Sequence, residues 1–211
     1  MRRLGGHSTV SGREAMGVTV GAPTADQLRA AIVQAGDLVA RVTAEQWSSA
    51  TPCEGWDVRT LVSHLVTGNR LFTAALRGDQ PAQLSADDDP VAAFGDSGSE
   101  LLTAFASPGA LQRVVHVPFG TVPGEVALHL RITEILVHGW DIARATGQHA
   151  EFDEAVAVQE LEFSSGALGA IPPERRPFGS PQQPPADASA LERLAALLGR
   201  NVSDGGSAQS Q

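Results

Sequence analysis

The sequence predicts an all-α protein, a bundle of four principal helices with a short β-like stretch before the fourth. Three observations carry that reading. Apolar residues make up 42% of the 211 residues while aromatics make up 5% and Tyr is absent, so the core is built mostly from Ala, Val and Leu, which suit close-packed helices better than a large sheet. Those residues recur at helical spacing over long runs. Gly and Pro fall between the runs, where one element ends and the next begins.

Residues 1–22 are rich in Gly and Ser and carry no periodicity; they are expected to be a disordered extension, within which Met16 is a plausible true start. From Thr24, a suitable N-cap, Leu28, Ala31, Ile32, Ala35, Leu38, Val39 and Val42 mark one helical face. A loop ending at Trp56 leads to Asp57, an N-cap for a second helix that runs to about Arg77, with Gly78 placed to end it. After the acidic run Asp87, Asp88, Asp89, Pro90 starts a third helix, weakened by Gly95 and Gly98. Residues 113–117 read as β-like and turn at Pro118, Phe119 and Gly120. Pro123 opens a long fourth helix that Gly147 stops, a fifth covers 153–167, and a short one covers 188–199 after a Pro-rich arm. The domain is expected to span 23–200, with 201–211 as a disordered tail.

Composition removes several functions. The net charge is −9, with 15 basic residues against 24 acidic ones, which leaves too few cations to neutralise a phosphate backbone, so no nucleic acid partner is expected. Every basic side chain other than His is Arg, a bias without folding logic that points to a G+C-rich genome such as an actinobacterial one. One cysteine, Cys53, cannot form an intrachain disulfide, and nothing implies an oxidising compartment. No run approaches the roughly 18 apolar residues of a membrane span, and no apolar signal core follows Arg2 and Arg3. The expectation is a soluble cytoplasmic protein without a membrane partner, either monomer or homodimer.

The fourth helix is apolar nearly all round, with Leu128, Leu130, Ile132, Ile135, Leu136, Val137, Trp140 and Ile142 on its perimeter, and so should be buried. One narrow stripe breaks the pattern: Arg131, Glu134, His138 and Asp141. Glu134 and His138 stand four apart on one face. A buried carboxylate requires a counter-charge, and two partners are open, a divalent cation or an Arg from another helix such as Arg70. On the second helix, His64 lies opposite Arg59, Ser63, Arg70 and Arg77, among Leu61, Leu65, Leu71, Phe72 and Ala75, and Gly68 one turn on leaves room beside its ring for an ion. His64, Glu134 and His138 are the ligand set of catalytic zinc sites, though other first-row metals fit it too. Asp141 either supports a ligand or pairs with Arg144. Cys53 is expected to be a buried structural thiol, Trp56 and Trp140 core residues or lining of the pocket, His116 a surface residue within reach of the pocket mouth, and His7, His129 and His149 ordinary.

Two blocks carry a family resemblance. Residues 51–65, TPCEGWDVRTLVSHL, resemble the signature "TPC-x-GW-x-V-x-x-L-x-x-H" of the mycothiol-dependent maleylpyruvate isomerase-like proteins of the DinB-like superfamily. Residues 134–147, EILVHGWDIARATG, resemble that family's "(D/E)-x-x-x-H-x-WD-x-A-x-A-x-G". The resemblance runs from about 24 to 200. It implies a DinB-like up-down-down-up four-helix bundle carrying a metal, usually Zn2+, on His64, Glu134 and His138, with mycothiol as co-substrate. The isomerases proper also carry a C-terminal domain that contributes to the active site, and the residues after Gly147 do not match it. The function expected is metal-dependent S-transfer to, or cis–trans isomerisation of, a small electrophile, through a metal-bound thiol or water. The alternatives are a non-catalytic metal- or ligand-binding bundle and a structural bundle without metal.

Overall fold

Helix α1, Ala25–Ala40, starts at Thr24, whose side chain accepts from the Gln27 backbone N–H while the Gln27 side chain bonds back to the Thr24 N–H, a reciprocal cap. The computed structural model describes residues 21–81, 89–118, 120–169 and 178–203. Helix α2, Val58–Arg77, is capped by Asp57, which accepts from Thr60 N at 2.8 Å, and ends at Gly78 in the left-handed region. Helix α3, Pro90–Phe105, has Asp89 as its N-cap and Pro90 in its first turn. It runs unbroken through Gly95 and Gly98. A Cβ on Gly98 would stand 2.8 Å from Ile32 Cγ2, so the glycine that weakens helix propensity lets α3 approach α1 closely.

The β-like stretch is one arm of an antiparallel hairpin: β1, Val114–Val117, pairs with β2, Gly120–Pro123, in the register Val114 to Pro123 and Val117 to Gly120. Helix α4, Gly124–Thr146, follows directly and is buried along most of its length, as its apolar perimeter requires. Helix α5, Glu154–Gly169, packs on α4, and α6, Ala190–Leu197, packs on both. In the bundle α1 touches α3 and α4, and α2 touches the same two. The four helices therefore form a ring in which α1 and α2 are diagonal. This is the mostly helical, DinB-like arrangement the sequence predicts.

The packed chain continues beyond Arg200, since Val202 joins the core. The expectations for residues 1–20, including Met16 and His7, and for 82–88, Phe119, 170–177 and 204–211 lie outside the described residues. No described helix is long and apolar enough to cross a membrane. His129, ordinary by sequence, is buried beside an equally buried Glu160, with Nδ1 2.9 Å from Oε1.

Candidate functional site: a two-histidine pocket

The loop before α2 owes its shape to Thr51. Its N–H donates to the Trp56 carbonyl at 3.0 Å, its hydroxyl donates to the same carbonyl at 2.9 Å, and the Cys53 N–H donates to its Oγ1 at 3.2 Å. Gly55, at φ +80, makes the turn an ordinary residue resists. The loop thus folds over the N-terminal part of α2 and sets the Trp56 ring 4.8 Å from that of His64.

Facing it, α4 presents His138. Its ring centroid is 5.1 Å from that of His64, edge to face, and 6.0 Å from that of Trp56. Glu134, one turn earlier, brings Oε2 to 3.9 Å from His64 Nε2. His64, Glu134 and His138 line one cavity of about 490 Å3, together with Cys53, Glu54 and Trp56, a size that suits a small organic ligand. Burial pushes the His64 imidazole down to about 4, only partly opposed by the Glu134 carboxylate. At neutral pH the ring is therefore uncharged, the form that ligates metals.

Three expectations need correction here. The counter-charge to Glu134 is Arg131 of the same helix, not an Arg from another one. Arg131 is 0% exposed, donates to Glu134 Oε2 and Asn69 Oδ1, and reaches the Leu65 carbonyl. Gly68 leaves no room for an ion, because the space beside it holds the Arg131 guanidinium, and a Cβ there would lie 2.4 Å from Nη1. Cys53 is not fully buried; it is a half-buried cavity residue. One donor atom each of Cys53, His138 and Asp141 lie within 4.8 Å of one another, a set that sequence distance concealed.

Of the two partners expected for Asp141, the structure supplies the histidine: His138 Nδ1 is 3.0 Å from Asp141 Oδ2, while Arg144 stacks over Trp140. Trp56 lines the cavity and Trp140 is core. His116 hydrogen-bonds Thr121 on the hairpin and does not reach the cavity. Arg200, which sequence reasoning missed, donates to Asp141 Oδ2 at 2.9 Å and lines the cavity wall.

Burial raises the Cys53 thiol, outweighing the nearby Arg200 charge. Metal-free, chelator-treated protein should therefore be alkylated by iodoacetamide more slowly at pH 7 than a free cysteine peptide, and the rise in rate should come at higher pH. A rate at or above that of the peptide would contradict the burial.

A helical bundle with two imidazoles and a carboxylate around a ligand-sized cavity is the class of protein this fold and site define, a DinB-like bundle. A sequence model of the mycothiol maleylpyruvate isomerase N-terminal domain matches residues 28–143, and the chain belongs to that family. It is 36% identical over 171 residues to an uncharacterized protein of Mycobacterium tuberculosis, in strains CDC 1551 / Oshkosh and ATCC 25618 / H37Rv alike, across 78% of this chain and 91% of the relative. It is also similar in structure to the crystal structure of the mycothiol-dependent maleylpyruvate isomerase, with a TM-score of 0.51 and 20% identity. For a mutant of that enzyme the values are 0.52 and 19%. The match covers 65% of this chain and 65% of each isomerase chain, so the chain spans about two-thirds of the solved isomerase.

Proposed function

We propose that the cavity binds one divalent metal ion, Zn2+ foremost, through His64, Glu134 and His138, and that the protein uses a low-molecular-weight thiol such as mycothiol in S-transfer to, or cis–trans isomerisation of, a small electrophile. The observation that carries the reading is the convergence of these three side chains, from two helices, on one cavity. Their chemistry fits the ion. Two imidazoles and one carboxylate leave a coordination position open, as in catalytic zinc sites. The 3.9 Å between His64 Nε2 and Glu134 Oε2 is a few tenths of an ångström longer than the roughly 3.3–3.6 Å that separates two ligands standing about 2.0–2.2 Å from a tetrahedral ion, so an ion would draw these side chains together. His138 has Nδ1 occupied by Asp141, which leaves Nε2 as its free donor.

Held by His64, Glu134 and His138, a divalent cation would supply positive charge that favours the ionised form of a thiol at neutral pH, which is its nucleophilic form. The chain's own residues do the rest. Asp141 holds the His138 ring in one orientation. Arg131 fixes Glu134 from the protein side. Trp56 and Phe178 give the cavity apolar walls that restrict water around an electrophile. The family's name supports mycothiol as the thiol, and the M. tuberculosis relatives are in keeping with the actinobacterial source read from the all-Arg composition.

Elemental analysis of the purified full-length chain tests the metal. About one divalent ion per chain is expected, lost in His64→Ala and in His138→Ala while both variants remain folded. Protein that is metal-free after reconstitution with Zn2+ overturns the reading. Given bound metal, thiol-dependent turnover over a panel of small electrophiles separates the enzyme from a binding bundle.

A further inference from the structure

The cavity has a wall that the family match does not reach. Phe178, Gly179, Leu198, Gly199 and Arg200 all line it, and all lie beyond residues 28–143. The segment is built in tightly. Gly199 adopts φ +91, and a Cβ on it would stand 2.7 Å from Gly179 Cα and 2.9 Å from Gly179 C, so only glycine lets the two strands of backbone cross here. Gln182 N donates to the Ala196 carbonyl at 2.8 Å and secures the same crossing.

From this wall Arg200 reaches inward. It is 6% exposed, and its guanidinium forks onto the Asp141 carboxylate, with Nη2 2.9 Å from Oδ2 and Nε 3.3 Å from Oδ1. Nη1 donates to the Leu198 carbonyl at 2.9 Å, which fixes the fork from behind. Asp141 is 0% exposed, and its Oδ2 is also 3.0 Å from His138 Nδ1. A longer approach of 3.5 Å separates Arg200 Nη2 from the same ring nitrogen.

We propose that Arg200 is a positioning residue, which acts through Asp141 to set the tautomer and orientation of His138. A carboxylate that accepts from a planar fork cannot turn without breaking two charge-assisted bonds. Asp141 therefore offers Oδ2 to His138 in one direction only. The ring must carry its proton on Nδ1 to use that oxygen, which leaves Nε2 for a ligand. Residues that approach a histidine from behind in this way set ligand affinity although they touch no ligand. The C-terminal segment thereby becomes part of the site rather than a cover over it. It brings to Asp141 an anchor from 59 positions along the chain, at a cavity face lined by residues beyond the family match. The metal consequence of the proposal rests on the reading that His138 is a ligand; the tautomer consequence does not.

Two measurements on the full-length chain separate these. In chelator-treated protein, long-range 1H–15N NMR spectra of the histidine side chains should give His138 as a single Nδ1–H tautomer, and Arg200→Met should show mixed tautomers. In a Zn2+ competition against a chromophoric chelator, Arg200→Met should bind about 10-fold or more weakly than wild type, with Arg200→Lys between the two because it keeps a charge and a donor for Asp141. A merely structural Arg200 would lower the melting temperature and leave tautomer and affinity alone, and that result overturns the proposal. Should Arg200→Met fail to fold, Arg200→Lys carries the test: unchanged affinity and an unchanged single tautomer in it count against the proposal. If wild type binds no Zn2+ yet the tautomer is lost on substitution, the positioning role stands and only the metal reading falls.

Discussion

Replacing Arg131 by Ala should destabilise the metal-free protein by about 3–5 kcal/mol, read as a shift in the urea midpoint at constant slope. The side chain is 0% exposed and its guanidinium is held by Glu134, Asn69 Oδ1 and, at 3.4 Å, the Leu65 carbonyl, while it lies over the Phe72 ring. Burial weighs against the charge and Glu134 opposes that effect. Truncation leaves buried Asn69 without its donor and Glu134, at the cavity wall, without its cation, and it removes the packed stem as well. Gly68→Ala is the companion measurement. Its Cβ would meet Nη1 at 2.4 Å, and a guanidinium held on several sides cannot move aside without losing bonds, so a loss of about 1–3 kcal/mol is expected. In the Arg131→Ala background the same methyl group enters the vacated space and should cost almost nothing. A double-mutant cycle reads this coupling directly; additive losses would show that Arg131 is not what Gly68 accommodates.

These two residues also mark what a sequence tells and what it withholds. The stripe on α4 was legible because a helix apolar nearly all round has little surface to spare for an acid, an imidazole and a second acid. Helix caps were legible because Thr24, Asp57, Gly78 and Gly147 each satisfy local geometry. The identity of the counter-charge was harder. Arg131 and Glu134 are three apart on one face, so the stripe carries its own cation, but a helical wheel shows direction and says nothing about how far a long side chain runs. Gly68 illustrates the converse. A small residue beside an inward histidine signals that something approaches, and here that something is a guanidinium.

Long-range partners were the least legible. Cys53 and His138 are brought together only by the Thr51-anchored loop, and Arg200 reaches Asp141 from a segment whose Pro-rich approach has no periodicity to read. The hairpin was half legible. Residues 113–117 have strand character, whereas β2 contains Gly and Pro and takes its conformation from pairing with β1.

The largest stability effect away from the cavity should come from Glu160. This carboxylate on α5 is 0% exposed and accepts from three side chains: His129 Nδ1 at 2.9 and 3.1 Å, Thr133 Oγ1 at 2.9 Å and Gln159 Nε2 at 3.2 Å. His129 and Thr133 stand one turn apart on α4, and the His129 ring stacks on Phe163 of α5 at 4.2 Å. Gln159 extends the network to α1, because Gln27 Nε2 donates to its Oε1 at 3.2 Å. One buried group thus ties α5 to α4, and through its neighbour to the start of α1. Glu160→Ala leaves His129 and Thr133 without an acceptor in a dry contact, and a loss of about 3–5 kcal/mol is expected. Glu160→Gln keeps one acceptor oxygen and should lose less. Glu134 lies ~140° round α4 from His129 at about 100° per residue, so Zn2+ affinity should stay within about twofold of wild type in both variants. A denaturation midpoint equal to that of wild type in Glu160→Ala would show that helix packing alone holds α5. A large fall in Zn2+ affinity would show instead that the two faces of α4 are coupled.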